Sequence, residues 1–280
     1  MSQFQTIRYE VLNPGEEGIA HVTLDRPASR NAQNKRMTYE LNAAFDDASR
    51  RTDVKVILVD AEGPHFSAGH DMRDSETMDL FSIVQPVGGF DRKGQEGHMA
   101  FEEEVFFGMC WRWRNIPKPM IAAAQGKTIA GGLMLLWVAD IIIASDDALF
   151  CDPTVGFGVN GVEYHAHGWE WGARKAKELL FTGDWITAQE ACHRGMVNHV
   201  TSRDQLYEFS LSLARRIAKK PSFALKLTKE SINQMLEAQG QYTALRTAFS
   251  HQHLSHAHNM IKFGMPVDPG FMQAMPVDKK

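Results

Sequence analysis

KPMIAAAQGKTIAGGLMLLWVADIIIAS, Lys118 to Ser145, is the stretch whose reading decides the fold. Met120 to Ala124 is a short apolar run of strand length. A glycine-bearing turn follows, then an almost wholly apolar segment, then a second run from Asp140 to Ala144. Short apolar runs bounded by turn signals suit buried strands, and the segment between them is long enough for a helix. Strand–helix–strand alternation predicts an α/β core with parallel pairing. Two features of the stretch need a reason. Gly131-Gly132 stands at the mouth of an apolar helix, and Met134 lies just inside it.

Outward from this unit, residues 6–12 and 18–25 predict a hairpin turning at Asn13-Pro14-Gly15. Met37, Leu41, Phe45 and Ala48 recur at helical spacing, and Val56 to Val59 reads as a buried strand followed by a loop from Gly63 to Gly69. Residues 72–100 are polar and weakly patterned, as in a mobile insertion or lid. Residues 101–115 carry aromatics at helical spacing. Thr187-Ala188-Gln189-Glu190 is a capping box that opens a helix ending at Gly195. Ser202 with Gln205 opens another, with an expected apolar face of Leu206, Phe209, Leu213 and Ile217. Beyond Pro221 only helices are expected. The division is an α/β core over 1–203 and a helical region over 204–280.

The 280 residues suffice for a substantial core. A net charge of -4, with no long block of one sign, argues against a nucleic-acid partner. MSQFQTIRYEVL lacks the basic start and apolar middle of a secretory signal. The longest apolar run, Ile129 to Ala139, falls short of the roughly 18–20 residues of a membrane span. No membrane partner is expected, and the cytoplasm is the expected compartment. Cys110, Cys151 and Cys192 are too far apart for a disulfide framework or a paired-cysteine metal site.

Gln125-Gly126-Lys127-Thr128 contains the GKT of a phosphate loop, but Ile121 stands where its first glycine belongs. An oxyanion hole fits better. A backbone N–H at a helix N-terminus is an orphan donor, reinforced by the helix dipole. Such a donor is worth roughly 2.7–4 kcal/mol to an anionic transition state. The turn Phe66-Ser67-Ala68-Gly69-His70-Asp71 offers a second donor from a separate loop.

Asn31-Ala32 after Asp25-Arg26-Pro27, the FSAGHD turn, KPMIAAAQG followed by AGG, ADIIIAS, and RKAKELLFTGDWITAQEACHRGMVNHV together resemble the enoyl-CoA hydratase/isomerase, or crotonase, family. The likeness runs over about residues 18–200 in order and spacing. It implies a crotonase-like spiral of ββα units with a C-terminal all-α trimerisation region. It also implies a homotrimer or dimer of trimers and an acyl-CoA or enoyl-CoA thioester ligand. Coenzyme A belongs to the substrate, and no separate cofactor or metal is implied. By motif position the oxyanion donors would be the N–H groups of Ala68 and Gly131.

The family's hydratases use two glutamates around one water, and those positions carry Met134 and Thr154 here. Glu163 is the first candidate to replace them, as base or nucleophile; the family's dehalogenase branch places its nucleophile at the position of Val162. His165 and His167 are further acid/base candidates, at most one of them expected to face inward. Asp152 is expected to organise a turn, and Asp71 to hold its loop. His70 is a candidate substrate contact. Arg26, Arg30 and Ala32 lie in the region resembling the coenzyme A contacts. His251, His253, His256 and His258 are expected to be solvated or at a subunit interface, and the tryptophans 111, 113, 169 and 171 to be mainly packing residues. The reading is an acyl-/enoyl-CoA-processing enzyme that polarises a thioester carbonyl. Two alternatives stand beside it: a CoA-thioester or C–C bond hydrolase using Glu163, and a non-catalytic acyl-CoA-binding protein.

Overall fold

The structure, a computed structural model, describes residues 4–15 and 17–270. β1 (Ile7–Leu12) and β2 (Ile19–Leu24) form the expected antiparallel hairpin. α1 (Lys35–Arg50) starts where the Asn34 side chain accepts the Met37 amide, a standard N-cap. Its buried face is Met37, Leu41, Ala44, Phe45 and Ala48, and β3 (Val56–Ala61) follows. Residues 72–94 run without a long element, and α2 (Gln95–Glu102) begins inside the expected insertion. α2 continues through a π-helical turn (Glu103–Gly108) into α3 (Met109–Arg114).

β4 (Met120–Ala124), β5 (Lys127–Ile129), α4 (Gly131–Trp137) and β6 (Ile141–Ser145) make up the stretch that opened the analysis. Its two long strands pair directly and in parallel. β7 (Leu149–Cys151), α5 (His167–Glu170), α6 (Ala173–Thr182), β8 (Ile186–Thr187), α7 (Ala188–Arg194) and β9 (His199–Thr201) come next. Half of the capping box forms: Thr187 accepts the Glu190 amide, the Glu190 carboxylate pairs with Lys175 and Arg194, and Gly195 closes α7 in the left-handed conformation. α8 (Leu206–Ala218), α9 (Ser222–Ala238) and α10 (Gln241–Phe263) complete the described chain. The end of the expected helical region, residues 271–280, lies outside the described residues.

The main sheet has the order β1-β2-β3-β4-β6-β9 and is parallel from β2 onward. A smaller sheet, β5-β7-β8, stands beside it. Successive strand residues face opposite sides. Val22, Ile57, Met120, Ala122 and Ile142 enter the larger core with α1 and α4. Ile19, Val56, Leu58, Ile121 and Ile143 pack instead on α8. A sheet covered on both faces needs the unbroken apolar strands seen in the sequence. Each buried valine, leucine, isoleucine or methionine among them stabilises the fold by roughly 1.5–3 kcal/mol.

α8 therefore covers the sheet, although it lies past residue 203. Its buried face matches the expected one in part: Leu206 is inside, and Leu213 and Ile217 pack against the same cluster. Leu206, Ser210, Leu211, Ala214 and Ala218 are inside, while Phe209 is 40% exposed. A 3-10 turn over Arg203–Gln205 precedes the helix, and Ser202 makes no side-chain cap. On α9, Phe223, Leu227 and Met235 share one stripe and are exposed.

Candidate active site

The turn from Phe66 to Asp71 is laced to chain on both sides. The Phe66 amide donates to the Gln125 carbonyl, and the Ser67 carbonyl accepts from Ile129 at 3.0 Å. On the other side the Ala68 amide donates to the Arg30 carbonyl at 2.9 Å, the Gln33 amide to the Gly69 carbonyl, and the Asp71 amide to the Gln33 carbonyl. Fully buried Asn31, at φ 52°, anchors that neighbour: its side chain bonds the Arg26 amide and the Glu62 and His65 carbonyls. The Ala68 amide is therefore committed to Arg30, which corrects its expected role as an oxyanion donor. Between Gly69 and Asp71, both turned toward Gln33, strand geometry sends the His70 amide to the opposite edge, where α4 begins.

The glycine pair now has a reason. A Cβ on Gly132 would lie 2.6 Å from the Ser67 carbonyl oxygen, which is backbone and cannot yield. A Cβ on Gly131 would lie 2.4 Å from the His70 ring. The two turns thus touch. Ala130 before them has φ 47° and ψ -117°, a strained conformation for a residue with a side chain, held by its amide bond to Cys151. As the first residue of α4, Gly131 has no intrahelical acceptor for its N–H.

Over this junction stands a pair of titratable side chains. His70 Nε2 is 2.9 Å from Glu163 Oε2, with the carboxylate side chain only 5% exposed. Phe106 stacks on the imidazole, ring centroids 3.8 Å apart. The other ring nitrogen, Nδ1, is buried and without a partner. Burial alone would push the His70 pKa down, but the charge and hydrogen bond of Glu163 outweigh it and raise the value. Burial would raise Glu163, and His70 turns the balance so that the carboxyl is lowered. Each partner thus favours the charged form of the other, on the edge of the glycine junction.

The remaining candidates divide. His167 is fully buried and its Nε2 lies 2.6 Å from Asp152 Oδ2. Asp152 also accepts the amides of Thr154 and Val162, so it organises the turn, as expected. His165 lies against the same ring, centroids 4.3 Å apart, with its Nε2 at the Asn160 carbonyl. Both rings share one environment, against the expectation that at most one faces inward. His165 precedes α5, so helical geometry never separates them. Burial drives the His165 pKa down to about 4.

Met134 is fully buried, and Thr154 keeps a buried hydroxyl without a partner. Arg26 gives its guanidinium to the Ala32 carbonyl and to Asp71, so it ties loops together and is not free for a phosphate. Asp71 thereby holds its turn. Arg30 is exposed at φ 52°, and its carbonyl serves Ala68. Trp113 and Trp171 are fully buried, whereas Trp169 is 37% exposed.

Sequence reasoning misplaced two histidines. His253 and His256 are buried and face His98 and Glu102 of α2, whereas His251 and His258 are exposed. The inward face of α10 carries Leu245 and Phe249 in its first half and Gln252, His253, His256 and Asn259 in its second, so apolar periodicity could not reveal where the histidines face. The spacing of His98 from Glu102 and of His253 from His256 carried the only available signal. Phe106 and Gln252, which borders Glu163, also went unmarked.

Comparison with known proteins agrees with this architecture. The family model described as enoyl-CoA hydratase/isomerase matches residues 14–267. A Mycobacterium tuberculosis protein named as an enoyl-CoA hydratase is 43% identical over 270 residues, spanning 91% of this chain and 82% of its own length. An indene-carboxyl-CoA hydrolase of Rhodococcus jostii is 31% identical over 222 residues, 78% of each chain. A crystal structure named for a probable enoyl-CoA hydratase of Mycobacterium smegmatis superposes with a TM-score of 0.85 at 44% identity, covering 94% of this chain and 99% of that one.

Proposed function

This chain belongs to the enoyl-CoA hydratase/isomerase family of enzymes acting on CoA thioesters, and we propose that it works through a Glu163–His70 dyad set against a two-amide oxyanion hole. The hole is formed by the N–H groups of His70 and Gly131. They draw the thioester carbonyl toward an enolate, which acidifies the α-carbon and makes the β-carbon electrophilic. Preorganised donors of this kind contribute about 2.7–4 kcal/mol each.

Met134 and Thr154 supply no carboxylate, so the proton must travel elsewhere. Glu163 fixes the ring of His70 and stabilises its charged form, the role a carboxylate plays behind histidine in hydrolytic triads. His70 Nδ1, left free over Gly131, then gives or takes the proton. The observation that carries this reading is the 2.9 Å contact between His70 Nε2 and Glu163 Oε2 beside an unpartnered Nδ1. The Thr154 hydroxyl is available to hold a water or a polar substrate atom. Thioester hydrolysis or C–C cleavage is the second reading, favoured by the relative named a hydrolase at 31% identity. The exposed stripe on α9 supports assembly into a homotrimer or dimer of trimers, which light scattering would weigh directly.

A panel of saturated, unsaturated and cyclic CoA esters, followed by mass, tests the proposal. Hydration adds water, isomerisation leaves the mass unchanged, and hydrolysis releases coenzyme A. Tight binding without turnover of any ester would move the protein to the acyl-CoA-binding reading.

A further inference from the structure

We propose that His98, Glu102 and His256 hold a divalent transition-metal ion of the zinc type, tying α2 to α10. These three residues each offer one ligand atom, all within 4.8 Å of one another. His98 Nε2 lies 2.9 Å from Glu102 Oε1, and His256 Nε2 lies 3.7 Å from the same oxygen. Around tetrahedral zinc at its usual bond lengths, neighbouring ligand atoms stand about 3.3 Å apart. These two separations bracket that value, and the third, between the two histidines, lies within 4.8 Å.

The tautomer of His256 strengthens the assignment. Its Nδ1 is 2.7 Å from the Pro266 carbonyl, which can only accept, so Nδ1 carries the hydrogen. In the neutral ring Nε2 is then a bare lone pair. That atom is buried and unpartnered, in a residue only 6% exposed. A buried lone pair without a donor is costly, and a metal ion satisfies it. A histidine whose second nitrogen bonds a carbonyl is also the usual arrangement of a metal ligand.

Outer support is present as well. His253 Nε2 is 3.2 Å from Glu102 Oε2, and the Gln95 amide donates to His253 Nδ1 at 2.6 Å. That donation leaves the N–H on Nε2, close to the second carboxylate oxygen but outside hydrogen-bonding geometry. His98 is the most open member, its side chain 28% exposed, which gives an entry path and a fourth position for water. A lone Glu102–imidazolium ion pair accounts for the His98 contact but leaves the His256 lone pair empty. Imidazole nitrogen with one carboxylate suits zinc. The three ligands are distinct from the Glu163–His70 dyad, although the charge of Glu102 also helps to raise the His70 pKa.

The test uses tag-free protein stripped with a chelator and titrated calorimetrically with zinc. About one equivalent per chain should bind, and zinc should raise Tm. Glu102→Gln and His256→Gln should each weaken binding by about 100-fold or more. Cobalt(II) added to the stripped wild type should develop the intense visible bands of four-coordinate geometry, a readout that does not depend on how the variants fold. Absence of saturable zinc binding to the wild type, binding unchanged in both folded variants, or a cobalt spectrum like that of the free ion would overturn the assignment. Because neither metal content nor the cobalt spectrum involves a CoA ester, the outcome is independent of the proposed reaction.

Discussion

Replacing Glu163 with glutamine keeps the shape of the dyad and removes its charge. The structure fixes what should follow. A hydrogen bond to a charged group contributes about 1.5–3 kcal/mol and a neutral one about 0.5–1.5 kcal/mol. Breaking a buried ion pair outright costs about 3–5 kcal/mol, because a bare charge is left behind. Here His70 can release its proton, so Glu163→Gln should destabilise the fold by only about 1–2 kcal/mol. The kinetic effect is larger. Without the carboxylate, the burial that already opposes the charge on His70 prevails, and the imidazole pKa falls below its ordinary value. Loss of positioned acid–base catalysis should lower kcat by about 100-fold, or ~2.7 kcal/mol, within the usual range for such groups. KM should change little if Glu163 acts only through His70, to which it bonds.

Two measurements check this together. The pH–rate profile should lose its limb above pH ~6.5 and gain one on the acid side. The His70 ring protons should titrate correspondingly lower by NMR. The pair's contribution to stability has a defined window as well. The raised His70 contributes stabilisation that is lost as pH rises through its folded pKa. The lowered Glu163 contributes stabilisation that is lost as pH falls through its own. The variant should flatten both losses. Turnover within about threefold of wild type, with His70 titrating unchanged, would refute the dyad.

Three further outcomes are expected. Gly132→Ala must push a methyl group to within 2.6 Å of the Ser67 carbonyl, so it should lower stability by about 1–3 kcal/mol in urea denaturation, and a neutral result would contradict the close approach. Asp152→Ala strips the acceptor from two amides and from His167, and should cost about 3–5 kcal/mol, read as a fall in Tm, whereas a loss under 1 kcal/mol would mean that the turn stands without it. His165 stays neutral in the fold down to about pH 4, while the unfolded chain takes up its proton from pH ~6.5. Stability should therefore fall between those values as pH drops, by about 1–2 kcal/mol at pH 5. His165→Gln should remove that part of the slope, and an unaltered slope counts against the assignment.

Much of this molecule was legible where residue type alone dictates backbone. The apolar runs flanking α4 could only be buried strands, Thr187 and Glu190 could only mark a helix start, and Gly131-Gly132 required close contact. Glu163 stood out as a candidate because a lone acid follows Met134 and Thr154, the two positions where the resemblance implies carboxylates. Direction was harder. Whether the Ala68 or the His70 amide faces the pocket depends on pairing with Arg30 and Gln33, and on left-handed turns at Arg30 and Asn31 that their side chains do not announce. β5 is three residues long and hides between stronger signals. The second half of α10 escaped because its buried face turns polar after Phe249, where it meets Glu102, and a hydrophobic pattern does not mark such a face.

The π-helical turn at Glu103–Gly108 works as a phase adjuster within one continuous rod. Each extra residue lodged in a helical turn sets back everything downstream by about 100°. Ahead of the turn, His98 and Glu102 address the C-terminal helix; behind it, Cys110 and Trp113 address the main core. Excising one residue there would leave an ordinary α-helix of good local stability whose two halves could no longer satisfy both neighbours. The length of this segment is accordingly under tighter physical constraint than its composition.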